Sequence, residues 1–238
     1  SAQVSLFGEE SEAQIADLEM PETTSWTLIE KLKNEKEVTG FYISGHPLDT
    51  FDFEIKNFTN VNLSQINSDL DALEKIPALH FAGMITEVNE RFTKKGAPFG
   101  IFVLEDKDES HRFVLFSKDY LRFKPYLIPG QSVMIDGKVG LNFREEKEVK
   151  IQEISLLADV MEKQTKIISV SIPLAGLDEK LVKNLNTIIS GNKGKTRLDV
   201  KIIDEKNDCI NMTAGTKRIE PGSLLEFLRN EKLKYKIN

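Results

Sequence analysis

Arg91, Phe92, Thr93, Lys94 and Lys95 set three cations and an aromatic ring within five residues, and Phe99 adds a second ring just beyond Gly96, Ala97 and Pro98. Guanidinium and ammonium groups neutralise phosphates, and phenyl rings offer flat faces on which bases stack. That mixture holds a single nucleic-acid strand without reading its sequence. Arg112 is a further cation. Arg144 is another, but Glu145, Glu146 and Glu148 crowd it and suit it poorly to a phosphate. The candidate contact set is therefore Arg91, Phe92, Lys94, Lys95, Phe99 and Arg112. The same residues also fit a plainer reading, in which Phe92 and Phe99 brace a loop root and the lysines are a solvated hairpin tip.

No catalytic constellation accompanies them. His46 has no second His, no Cys and no paired carboxylate at ligand spacing, so it reads as a helix-entry turn whose ring makes a local hydrogen bond. Cys209 is the one cysteine; it allows no internal disulfide, lies in an apolar strand pattern and reads as inert packing. We expect no catalytic residue, no metal and no cofactor.

The elements that must position the cations come next. Apolar residues alternate or run in short blocks over 79–88, 99–104, 113–116, 132–139 and 149–157, with turn chemistry between them. Residues 118–127 carry Tyr120, Leu121, Phe123 and Leu127 at near-helical spacing and are stopped by Pro129 and Gly130. Five strands with a helix between the third and fourth is the order of an OB-fold β-barrel, here spanning 78–159. The cations of 91–95 then lie in the loop joining its first two strands, where OB folds grip single strands.

Ahead of the barrel, residues 23–77 read as a helical linker. A helix over 23–41 has Thr23, Thr24 or Ser25 as its cap and Trp26, Ile29 and Leu32 on one face, and Pro47 opens a second helix with Leu48, Phe51, Ile55 and Phe58 inward. Residues 160–166 read as a polar connector. The segment 166–238 then reads strand, helix, strand, strand, helix, strand: a small βαββαβ-like α+β domain, whose order resembles a ferredoxin-like split βαβ unit and whose length also fits a small three-layer variant. Asp178 and Ser223 are the expected helix caps, and Gly191 the expected stop. The whole is a mixed α+β chain.

Charge is uneven. Lys plus Arg against Asp plus Glu run 5 to 15 over residues 1–78, 12 to 12 over 79–158, and 15 to 11 over 159–238, for a net charge of −6. This excludes a bulk polyanion-binding protein, yet a basic loop on a neutral barrel still meets phosphates, weakly and with strong salt dependence. No apolar run is long enough to span a membrane, and the start has no basic, then apolar, signal-peptide pattern. The chain starts Ser1, Ala2 without Met, which we read as a piece cut from a longer protein. Residues 1–22 are acidic and read as a flexible tether, within which Gln3, Val4, Ser5, Leu6 and Phe7 put an amide ahead of two large apolar side chains suited to a partner's pocket.

Residues 35–51, EKEVTGFYISGHPLDTF, and 85–106, ITEVNERFTKKGAPFGIFVLED, resemble the alpha-subunit family of bacterial DNA polymerase III, a C-family replicative polymerase. QVSLF is similar to the sliding-clamp-binding motif that the family carries ahead of its OB domain, with Gln3, Leu6 and Phe7 as the matching residues. The resemblance covers essentially the whole chain and includes neither the polymerase palm nor the amino-terminal phosphoesterase-like domain. It implies a non-catalytic C-terminal part of a DNA-directed DNA polymerase (nucleotidyltransferase), cytoplasmic, monomeric as a fragment. The implied partners are single-stranded DNA at the OB domain, the sliding clamp (beta) at the tether and the clamp-loader tau subunit at the C-terminal domain. Two alternatives remain: an OB-fold tRNA- or RNA-binding module, and a structural spacer without nucleic-acid contact.

Overall fold

A computed structural model of the chain describes residues 26–40, 42–191, 193–204, 206 and 208–238. Gln3, Leu6 and Phe7 lie outside the described residues. The chain divides into two units, residues 1–44 and 45–238. In the first, helix α1 (Leu28–Thr39) starts at Thr27, whose hydroxyl accepts from the Glu30 amide while the Glu30 carboxylate accepts from the Thr27 amide at 2.9 Å. Trp26 therefore precedes the helix instead of lying on its apolar face, and it is exposed. Past the helix the Glu35 carboxylate accepts from the Ile43 and Ser44 amides at 3.1 and 2.9 Å.

The second unit opens with a 3-10 turn, Pro47–Phe51, and runs through α2 (Asp52–Phe58), α3 (Leu63–Ser68) and α4 (Leu70–Leu73). His46 caps the turn: its Nδ1 accepts from the Leu48 amide at 3.1 Å, the local bond expected of it. Five strands follow: β1 (Leu79–Phe92), β2 (Pro98–Glu105), β3 (Ser110–Phe116), β4 (Ser132–Leu141) and β5 (Lys147–Leu156), with α5 (Ser117–Phe123) between β3 and β4. Their order in the sheet is β3-β2-β1-β4-β5, antiparallel throughout. Strand β1 is long enough to pair β4 over its first half and β2 over its second, and its register shifts between Ile85 and Glu87, where the bulge bends it. Phe81, Phe102, Phe113, Ile135 and Ile154, one from each strand, are all buried in a single core, so the sheet is curled around its own inner face. Among the described residues β3 and β5 do not pair, leaving the curl open at that seam. Val61, Leu63, Ile66 and Leu73 close one side of this core and Tyr120 and Phe123 another. Each fully buried side chain of this size contributes roughly 1.5–3 kcal/mol.

The stretch expected as a polar connector is instead helix α6 (Leu157–Gln164), with Leu157 and Val160 buried. Next come β6 (Ile167–Pro173), α7 (Glu179–Gly191), β7 (Lys193–Ile203), β8 (Cys209–Thr213), α8 (Pro221–Asn230) and β9 (Lys234–Ile237), in the expected element order. The sheet runs β8-β7-β6-β9, and β6 pairs β7 in parallel. The βαβ unit is thus direct, not split: no strand is inserted between β6 and β7. Asp178 accepts from the Leu181 amide at 2.7 Å, as its place before α7 predicts. Helix α8 is capped by Glu220, not Ser223. The Glu220 carboxylate accepts from the Gly222 and Ser223 amides at 2.6 and 2.8 Å and from the Ser223 hydroxyl at 2.6 Å; burial pushes its pKa up, but the Ser223 hydroxyl and the two amides together hold it below the usual carboxylate range. Cys209 is exposed on the edge strand, which corrects its reading as packing.

Candidate nucleic-acid interface

Residues directly opposite one another in an antiparallel pair share a face, and neighbours along a strand do not. The registers of β1, β2 and β3 therefore sort the candidates. Arg91 stands opposite Phe99 and Phe99 opposite Phe116, so these three form one row across the outer face. The Phe99 and Phe116 rings stack with centroids 5.5 Å apart and planes 25° off parallel. Asn89, Ile101 and Val114 make the next row, and Glu87, Val103 and Arg112 the one beyond. Val114 and Phe116 are 44% and 47% exposed, a degree of exposure that an apolar side chain facing a core would not have.

Phe92 does not join this face. The strand continues to Phe92, past the expected end at residue 88, and adjacent residues Arg91 and Phe92 then point to opposite sides. Phe92 is 66% exposed on the reverse side of the hairpin. Lys94 and Lys95 sit exposed at the tip. Their turn is fixed by Thr93, whose amide donates to the Ala97 carbonyl at 2.8 Å and whose hydroxyl accepts from the Ala97 amide at 3.1 Å. Gly96 closes the turn at φ 78, a conformation that favours glycine. Arg112 lies four residues along β3 from Phe116, roughly 13 Å at strand rise, in the row that holds Glu87. The face is thus cationic at the hairpin and mixed at its far end.

Ion pairing separates committed cations from free ones. Lys107 is held by Asp49 and Asp52, Arg122 by Glu153, Lys124 by Glu90, Lys147 by Asp71 and Glu74, and Lys150 by Glu148. Among the described residues Arg91, Lys94, Lys95 and Arg112 are in no ion pair, so binding a phosphate would break none. The bond to Glu90 raises the Lys124 pKa, and the reciprocal bond lowers that of Glu90, which further marks Lys124 as structural. His111 adds no charge near neutral pH, because burial pushes its imidazole below the ordinary range.

Two exposed rings were missed in the sequence. Phe116 is one; its signal was the apolar alternation of Val114 and Phe116 on the side of β3 opposite the buried Phe113 and Leu115. The other is Phe143, 80% exposed in the β4–β5 turn, with the Arg144 guanidinium 5.2 Å from its ring centroid. Asn142 builds that turn by accepting from the Arg144 and Glu146 amides at 2.8 and 3.0 Å. Of the three acids thought to crowd Arg144, Glu146 bonds Asn142 at 3.1 Å and Glu148 bonds Lys150 at 2.5 Å. Arg144 stacks on a ring beside them.

An outer face of the second and third strands with a stacked aromatic pair beside the β1–β2 turn is the kind of surface through which OB folds take oligonucleotides. Residues 80–157 match the family model described as an OB-fold nucleic acid binding domain, and residues 168–238 match that of the DNA polymerase III alpha subunit, C-terminal domain. The chain is 26% identical over 200 residues to the DNA polymerase III subunit alpha of Saccharopolyspora erythraea, covering 82% of this chain and 16% of that one. It is 22% identical over 227 residues to the Vibrio cholerae subunit, covering 94% and 19%. To the Aquifex aeolicus subunit it is 36% identical over 110 residues, covering 46% and 9%. A solved structure, the SSB domain of a Synechococcus protein, is similar at 11% identity and a TM-score of 0.26 over 32% of this chain and 91% of that one; the fold rests on the strand order instead. The chain carries an OB-type sheet, matched by the OB-fold nucleic acid binding domain model over residues 80–157, joined to a small α+β domain. It is similar to a C-terminal portion of the DNA polymerase III alpha subunits and spans less than a fifth of the length of those it matches here. Among the described residues no helix is long and apolar enough to cross a membrane.

Proposed function

We propose that this chain is the non-catalytic C-terminal region of a replicative polymerase alpha subunit. It guides single-stranded template across the outer face of β1, β2 and β3. The observation that carries the reading is the row Arg91, Phe99, Phe116: a cation in no described ion pair beside two stacked, partly exposed rings. Arg91, Lys94 and Lys95 take phosphates, and the rings take bases. Affinity is modest, because few phosphates are met on a domain with no net positive charge, and tethering to a polymerase makes even a weak site effective. The test is fluorescence anisotropy of labelled single-stranded DNA. Replacing Phe99 and Phe116 by alanine weakens binding by about tenfold or more, since stacking contributes about 1–3 kcal/mol per base. Replacing Arg91, Lys94 and Lys95 by alanine flattens the salt dependence by about two units of log–log slope. Wild-type binding by both variants rules out this face, and tighter binding to RNA of the same sequence favours an RNA-binding module instead.

The same reading gives the tether and the C-terminal domain their partners. Gln3, Leu6 and Phe7 dock on the sliding clamp, the amide hydrogen-bonding and the Leu-Phe pair filling an apolar pocket, and residues 166–238 bind the clamp-loader tau subunit. A peptide spanning residues 1–10 is expected to bind the clamp in a titration, and the Leu6→Ala, Phe7→Ala double variant to lose binding altogether. Equal binding by the two peptides removes the motif from the proposal.

A further inference from the structure

Helices α7 and α8 cover one face of the sheet of the C-terminal domain. Ile168, Val170, Ile172 and Leu198 are buried against Leu181 and Leu185 of α7 and Leu224, Leu225 and Leu228 of α8. The alternate positions make the opposite face. Across it, Lys234, Ser171, Lys201 and Asn211 form one row, and Lys236, Ser169, Asp199 and Thr213 the next. Lys201, Asn211, Thr213, Lys234 and Lys236 are exposed. Arg197 is spoken for by Asp199 at 2.9 Å. Lys201, Lys234 and Lys236 are in no ion pair among the described residues. At strand spacing, Lys234 and Lys201 flank β6 at about 10 Å, and Lys236 stands about 7 Å from Lys234 along β9. This is a triangle of uncommitted ammonium groups with the Ser169 and Ser171 side chains of β6 between them and the Asp199 carboxylate, paired with Arg197, beside them. Among the described residues no aromatic ring lies in these rows, because Tyr235 falls at the alternate position.

The geometry points to a second nucleic-acid contact: the open face of the C-terminal sheet docks the phosphate backbone of duplex DNA. A surface with cations and no rings cannot stack bases, so it responds to charge density alone. Duplex DNA carries one charge per about 1.7 Å of axis, against about 3.4 Å for a strand, which makes duplex the favoured occupant. The two faces then divide the work, single strand on the OB face and duplex on the sheet of the other domain. This inference does not depend on the OB reading, since the two faces share no residue.

The experiment is anisotropy of a short labelled duplex, and of a single strand of the same length, titrated with the whole chain at low and moderate salt. Lys201→Glu, Lys234→Glu and Lys236→Glu together are expected to weaken duplex binding roughly tenfold or more and to reduce its log–log salt slope by about three, while single-strand binding changes far less. Arg91→Ala with Phe99→Ala gives the reverse pattern, so failure of the OB reading is seen separately. Should the charge-reversed chain melt early, the corresponding Lys→Gln triple decides, with a smaller loss in the same direction. Unchanged duplex binding by a folded triple variant overturns the proposal. So does a wild-type chain that ignores duplex at low salt, or one that binds a polyglutamate peptide there in preference to duplex.

Discussion

Replacing Gly100 by valine is expected to lower the melting temperature of this chain by roughly 6–12 °C, the shift that about 3 kcal/mol produces in a chain of this size. Gly100 is buried in β2, and a Cβ built there would meet two ring carbons of Tyr120 at 2.3 Å, a separation side chains do not tolerate. The ring cannot step aside. Tyr120 is 1% exposed, its helix packs on β2, and burial pushes its phenol pKa up. Glycine in a strand interior usually costs stability, and here it is required because the Tyr120 ring crosses directly beneath the backbone. Thermal unfolding followed by circular dichroism measures the loss. Shortening the ring in a Gly100→Ala, Tyr120→Leu double variant should recover part of it, the sign of a steric cause. The single-strand site feels the same change, because Phe99 precedes Gly100 and a displaced β2 spoils its stacking on Phe116. A melting temperature unaltered by Gly100→Val would show that the ring has room to move.

What the sequence made legible was local. Alternating apolar residues marked all five strands of the first sheet, and Asp178 and Gly191 marked the ends of α7, because pleat and cap chemistry act over a few residues. The side on which Phe92 lies was not legible, because Asn89, Glu90 and Arg91 read as loop. An exposed hairpin arm has no apolar face to betray the strand, and one more pleat reverses every side chain. Helix α6 was missed because Leu157 had been assigned to the last strand, which left Val160 and Met161 too few to show a helical period. The cap of α8 was legible in hindsight: Pro221 favours the first helical position and so points to Glu220 before it. Strand order in the C-terminal sheet was not legible, because direct and split βαβ units share one element order and differ only in long-range pairing. Phe116 and the Arg144–Phe143 stack belong with that last group. Their significance comes from the residues that register and turn geometry bring beside them.

Asp106→Ala is expected to cost about 2–4 kcal/mol, roughly 4–16 °C in melting temperature, although it removes only a half-buried carboxylate. One oxygen of Asp106 accepts from the Asp108 and Glu109 amides at 2.9 and 2.8 Å, shaping the β2–β3 turn. The other accepts from the Leu63 amide at 2.8 Å, 43 residues away, at the start of α3. Charge-assisted bonds of this kind are worth about 1.5–3 kcal/mol each when a buried donor would otherwise go unpaired. Leu63 is fully buried in the core that the five strands share, so its amide has little water to turn to. Asn at the same position keeps one accepting oxygen and turns an NH2 group toward the remaining donors; about half the loss is expected. The two bonding directions can be told apart by hydrogen exchange. If Asp106 pins α3, the amides of α3 lose protection in the alanine variant before those of β4 and β5 do. If they exchange together, the carboxylate serves the β2–β3 turn alone and α3 is held by Leu63 and Ile66. The turn matters to the interface in either case, because it sets the register in which Phe99 meets Phe116 at the opposite end of the same hairpin.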